Sequence, residues 1–219
     1  MEKILIAGMS RSGTDFIHVA IYSAFGKLDL YHKMKTAREN GNDLLSLHEP
    51  SALNTHSSNP ESIDRSMFIR RRHDHRYVRL EQILEDQKEF FIHREEGPLV
   101  VIKNPNLDGL DINFLSEFDQ VLVCSRKPES WLLSAMEHTS AKGQIDIFCD
   151  KNQCSPLDYA QYRYAQAEEM VASSKKAVML DFHDVEGRIE KLSKCLGHPD
   201  DKIVRGVFDK HWTGSRYEK

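Results

Sequence analysis

Three groups of residues in this chain have types and spacings suited to holding an anion, and a fourth can take a proton. The first is residues 8–14, Gly-Met-Ser-Arg-Ser-Gly-Thr, where two glycines frame a polar loop carrying Arg11. The second is Lys103, the first cation after the apolar run Leu99-Val100-Val101-Ile102. The third is Arg126 with Ser134, eight residues further on. Arginine offers a bidentate fork and serine a hydroxyl donor, a pair suited to a phosphate monoester. Each charge-assisted hydrogen bond contributes about 1.5–3 kcal/mol. The fourth group is His48-Glu49, followed by Pro50. It reads either as a catalytic base or as a solvated pair at a helix start.

The elements that must position these groups follow from hydrophobic spacing. Ile4-Leu5-Ile6-Ala7 has strand length and composition, and Phe16, Val19, Ala20 and Ala24 recur at helical spacing after the loop. Strand, glycine-bounded loop and helix together aim backbone N–H groups and a helix N-terminus at one anion. An ordinary turn between strand and helix is the plainer reading, but two glycines and an internal arginine ask more than a turn requires. Further strands are expected at 98–105, 120–124 and 177–182, and helices at 80–91, 129–138, 157–174 and 188–196, with residues 107–117 forming a short helix. Strands alternating with helices predict an α/β fold, a parallel sheet flanked by helices. Ligands of such sheets gather at the carboxyl ends of the strands, where Lys103 and Arg126 fall. The chain of 219 residues is long enough for one domain over residues 1–219.

Composition narrows the classes. Hydrophobic residues make up 40% and charged ones 29%, and the net charge of −4 argues against bulk attraction to nucleic acid or membrane. No run approaches the roughly 18 apolar residues of a membrane span. The first strand begins almost at once, which predicts no signal peptide and a cytoplasmic protein. Residues 70–79 hold Arg70, Arg71, Arg72, Arg76 and Arg79, either a grip for an anionic partner or a salt-bridged surface. Of the four cysteines, Cys124 and Cys195 read as reduced core thiols. Cys149 and Cys154 read as part of a polar loop, where they form a loose zinc trio with His138 or have no metal role at all.

The loop has the outer frame of a nucleotide-triphosphate P-loop, yet Thr14-Asp15 stand where a Walker loop needs lysine and then serine or threonine. Its cation, Arg11, lies inside the loop instead. Taken together, the motifs resemble the sulfotransferase superfamily, enzymes that use 3'-phosphoadenosine-5'-phosphosulfate. Residues 8–14 are similar to that family's 5'-phosphosulfate loop, and Val101-Ile102-Lys103 to the strand that delivers a second cation. Arg126-Lys127-Pro128 with Ser134 resembles its 3'-phosphate motif, and residues 180–197 its later strand and a helix ending in Leu-Gly. Three positions depart from the pattern. Asp15 replaces a threonine or serine, Pro105 stands where relatives place a histidine base, and the C-terminal glycine-rich segment is reduced to Thr213-Gly214-Ser215-Arg216.

The resemblance implies a P-loop-type sheet and transfer of a sulfuryl group to a hydroxyl or amine, with 3',5'-adenosine bisphosphate as product and no metal. Arg11 and Lys103 would hold the phosphosulfate with backbone from Ser12, Gly13, Thr14 and Asp15, while Arg126 and Ser134 hold the 3'-phosphate. Glu49 is the first candidate base, with His48 and His18 as alternatives. The expected acceptor is a small molecule or carbohydrate, with no nucleic-acid or membrane partner; its identity and the oligomeric state are not in the sequence. Two rivals share these features: a small-molecule kinase of P-loop type using ATP, and a non-catalytic nucleotide-binding module.

Overall fold

The structure is a computed structural model that describes residues 1–39, 47, 68–70, 77–104, 115–197 and 201–212. Glu49 and His48, most of the arginine cluster, residues 107–114, Pro105 and the segment 213–216 lie outside the described residues.

The interior is a four-stranded parallel sheet built from β1 (Glu2–Gly8), β4 (Leu99–Asn104), β5 (Gln120–Ser125) and β6 (Ala177–Asp181), in the order β4-β1-β5-β6. Ile4 to Ala7 and every residue of β4 are buried, the continuous apolar run expected of strands covered on both faces. Register pairs Ile6 with Lys103 on one side and Leu122 on the other. The chain thus leaves β1 from the middle of the sheet, with β4 and β5 as its two neighbours. Such a position opens a crevice at the carboxyl ends of the strands. A separate antiparallel pair joins β2 (Phe68–Arg70) to β3 (Tyr77–Arg79).

The flanking helices are α1 (Thr14–Ala24), α2 (Leu28–Glu39), α3 (Leu80–Asp86), α4 (Pro128–Met136), α5 (Thr139–Asn152), α6 (Pro156–Ser173), α7 (Val185–Cys195) and α8 (Lys202–His211). Helix α1 packs on β1 and β4, α6 on β5 and β6, and α7 on β6. Helix α6 starts with a capping box, the Ser155 hydroxyl accepting from the Asp158 N–H while the Asp158 carboxylate accepts from the Ser155 N–H.

Several elements differ from the sequence expectation. Helix α2 forms in a segment whose charged residues hide its periodicity, with Tyr31 and Met34 supplying a buried seam among the described residues. The helix expected over 80–91 stops at Asp86 and continues as a 3₁₀ turn, Lys88–Phe90. Phe90 and Phe91 both bury, which adjacent positions of one α-helix, about 100° apart, do poorly. Residues 139–152 form α5 rather than a polar loop, so Cys149 lies in its final turn. Helix α8, also unforeseen, packs against α1.

Gly8 has φ 142°, and a Cβ built there would lie 2.2 Å from the Cys124 carbonyl oxygen. Gly143, inside α5, would meet nothing within 4 Å. Gly8→Ala is therefore expected to lower unfolding free energy by about 3 kcal/mol. Gly143→Ala is expected to raise it by about 0.5–1 kcal/mol. Urea denaturation midpoints check both; similar midpoints for the two variants would refute the close-approach argument.

Candidate anion-binding site at the carboxyl edge of the sheet

The loop after β1 is held by its carbonyls. The Met9 carbonyl accepts the Ser12 N–H at 3.2 Å and also the Ser12 hydroxyl. The Ser10 carbonyl accepts the Trp131 indole N–H at 2.6 Å, and the Arg11 carbonyl accepts from Arg126 Nη1 at 3.4 Å. The Ser12 carbonyl accepts from Arg188 Nη2 at 2.8 Å, and the Gly13 carbonyl takes the first bond of α1, from Ile17. Three successive carbonyls, those of Ser10, Arg11 and Ser12, are thus anchored by side chains from other elements. In a trans peptide the N–H points opposite to the C=O. The planes fixed at Ser10, Ser12 and Gly13 therefore turn the N–H groups of Arg11, Gly13 and Thr14 away from those anchors.

The Ser12 N–H closes the turn onto Met9, and its fully buried hydroxyl also reaches the Cys124 carbonyl at 2.9 Å. Arg11 has a left-handed backbone, φ 67°, and an exposed side chain. Gly13, φ 86°, caps α1 without any side-chain cap. The N–H groups of the first helical turn have no intrahelical acceptor, and this end attracts negative charge.

Lys103 ends β4 fully buried, and its ammonium pairs with the carboxylate of Asp15 in the first turn of α1. Burying an ammonium without a partner is expensive, and this pair offsets part of that cost. Arg126, just past β5, is 3% exposed. Its Nε donates to the Ser130 hydroxyl at 2.8 Å, and its guanidinium lies 4.2 Å from the centroid of the Phe182 ring. Ser134 is buried one helical turn beyond Ser130, on the same face of α4.

The sequence reading brings loop 8–14, Lys103, Arg126 and Ser134 to one edge; the structure sets the loop, Lys103 and Arg126 at the carboxyl ends of β1, β4 and β5, and Ser134 buried on the face of α4 that carries Ser130. The sequence reading missed Ser130, Trp131 and Arg188. Arg188 is fully buried at the start of α7, with its guanidinium 5.4 Å from the Phe182 ring and 5.2 Å from the Trp212 ring. No carboxylate among the described residues is within ion-pair distance of it, and its Nε and Nη1 have no hydrogen-bond partner. Burial lowers its pKa from the ordinary arginine range, against the pull of Cys124, Asp181 and Asp184. A Cβ on Gly13 would sit 3.0 Å from Nη1, so this charge lies directly against the loop. Burial also pushes the Cys124 thiol up to about 11, although Arg188 and Lys103 both pull it down. The signal for Arg188 was available: it stands on the apolar face with Ile189 and Leu192. His18, one of the alternative bases, is packed as a core residue between the rings of Tyr22 and Tyr31, each 5.3 Å away.

Among the described residues, no three His, Cys, Asp or Glu side chains are grouped so as to hold a metal ion, so the trio with His138 is not assembled. No helix of the described residues is long and apolar enough to cross a membrane.

Replacing Arg188 tests what it does for the loop. Arg188→Met removes an unpaired buried charge, whose desolvation costs several kcal/mol, and loses two carbonyl bonds of roughly 0.5–1.5 kcal/mol each. The expected outcome is an unchanged or raised denaturation midpoint with about tenfold faster amide hydrogen exchange at residues 12–14. Exchange as slow as in the parent would show that the loop does not depend on Arg188.

Compared with protein-family models, curated proteins and solved structures, the chain matches none of them.

Proposed function

We propose that this chain is a sulfotransferase, moving a sulfuryl group from 3'-phosphoadenosine-5'-phosphosulfate to a hydroxyl or amine of a small-molecule or carbohydrate acceptor. The observation that carries the reading is the loop held by its carbonyls, with Lys103 and Arg126 at the exits of the strands on either side of β1. A loop so anchored presents fixed N–H groups that need no rearrangement when negative charge develops beside them. Gly13 fits this role because its missing side chain leaves the backbone open above Arg188.

In the proposed site, the N–H groups of Gly13 and Thr14, with Arg11 and Lys103, hold the 5'-phosphosulfate. Arg126 with Ser134, extended by Ser130, holds the 3'-phosphate. Charge builds on the bridging oxygen as the sulfuryl group departs and an acceptor oxygen or nitrogen attacks in line, and positioned cations stabilise it. Removing one such cation costs on the order of 10²–10³ in rate. Lys103 reaches the phosphosulfate only by exchanging Asp15 for it. Glu49 is the proposed base for the acceptor proton. The loop lacks the Walker lysine, and this favours the phosphosulfate donor over ATP with magnesium.

Calorimetric titration separates the readings. The expected result is binding of 3',5'-adenosine bisphosphate at least tenfold tighter than ATP with magnesium; the reverse order would establish the kinase reading. Arg126→Ala is expected to weaken the bisphosphate about tenfold or more and to lower the unfolding free energy by about 1.5–3 kcal/mol, the value of one charge-assisted bond. Transfer of isotopic sulfate onto a panel of acceptors then distinguishes an enzyme from a binding module. For Glu49→Gln, transfer is expected to fall on the order of 10²-fold with bisphosphate affinity unchanged. Turnover within threefold of the parent would remove Glu49 from the role.

A further inference from the structure

Cys149 and Cys154 stand at the two positions that the end of α5 draws together. Gln153 follows the helix in the left-handed conformation, φ 51°, and the Cys154 N–H donates to the Cys149 carbonyl at 3.2 Å. This is the six-to-one bond of a Schellman turn, whose two end residues characteristically pack side chain against side chain. Here both ends are thiols, and both are only half-buried. The backbone bond also limits their separation. One N–Cα bond of about 1.5 Å, the bond itself and a Cα-to-oxygen span of about 2.4 Å put the Cα atoms no more than roughly 7 Å apart. A disulfide spans about 4.4–6.8 Å. By contrast, Cys124 is fully buried and Cys195 lies on another helix.

We propose that Cys149 and Cys154 form a thiol–disulfide exchange site, closing an intramolecular disulfide on reaction with a low-molecular-weight disulfide. One cysteine sulfur attacks the small disulfide, whose S–S bond breaks and releases one thiol. The second cysteine then attacks the mixed disulfide and releases the other thiol. The small disulfide is reduced by two electrons, the protein pair is oxidised, and the two cysteine protons pass through solvent to the departing thiolates. The order of attack follows from the surroundings. Partial burial, the bond to Cys154, and the charges of Cys154, Asp146 and Asp150 push the Cys149 thiol up to about 11. The first attack falls to Cys154, and bonding Cys154 to the small molecule removes two of the influences that keep Cys149 protonated. This chemistry is independent of the reaction proposed above.

The test uses the full chain with oxidised glutathione at pH 8, trapping with N-ethylmaleimide and tryptic digestion. Lys151 lies between the two cysteines, so a disulfide links the peptides 143–151 and 152–163. The expected result is that linked pair, with an intact mass lower by two hydrogens. Cys149→Ser is expected to keep glutathione on Cys154, and Cys154→Ser to react at least tenfold more slowly. The proposal is overturned if both thiols stay open to the maleimide, if the linkage joins two chains, or if the two serine variants take up glutathione equally fast. Any of these would reduce the pair to a packing contact at a helix end.

Discussion

The carbonyl oxygen of Cys124 is the fixed point from which the candidate site is built. It accepts the Met9 N–H at 3.2 Å and the Ser12 hydroxyl at 2.9 Å, and it lies where any side chain on Gly8 would stand. The loop therefore leaves β1 pressed against β5, not free above the sheet edge. Arg126 follows Cys124 by two residues on the same strand exit, so one backbone segment fixes both the loop and the arginine that grips its Arg11 carbonyl. Trp131 from α4 and Arg188 from α7 complete the clamp from other elements.

This arrangement gathers positive charge where a purely structural loop would have none. Lys103, Arg126 and Arg188 are all nearly or fully buried beside one short segment. Each has a partner other than water: a carboxylate for Lys103, a hydroxyl, a carbonyl and an aromatic face for Arg126, two carbonyls and two aromatic faces for Arg188. Cation–π contacts of this kind are each worth about 0.5–2 kcal/mol, less than the desolvation they offset. Stability gains little from such a cluster, and a loop that must meet an anion gains much.

The sheet was legible because its strands are unbroken apolar runs, and a fully covered parallel strand needs nothing else. The residues at the sheet edge were legible for the same reason, since Lys103 and Arg126 interrupt those runs at the right end. What stayed hidden depends on contacts between distant segments. Ser130 sits four residues from Arg126 on the helix face that returns toward it, and Ser134, a turn further, drew attention first because of its spacing in a known motif. The bonds of the Ser12 hydroxyl and N–H to the Met9 and Cys124 carbonyls were hidden too, because one of them joins segments that lie far apart in the chain. Helix α2 escaped notice because its buried seam is two residues wide among the described residues. Glu49 remains a reading of the sequence, since it lies outside the described residues.

The partnership of Lys103 and Asp15 has an asymmetry in it. The lysine is walled in on all sides, whereas the aspartate side chain is 65% exposed and sits on a helix end that welcomes negative charge. Only one of the two is able to let go. In the proposed function, an anion that reaches that ammonium would displace a resident carboxylate, so Asp15 would be a latch whose strength is set by the visitor's charge.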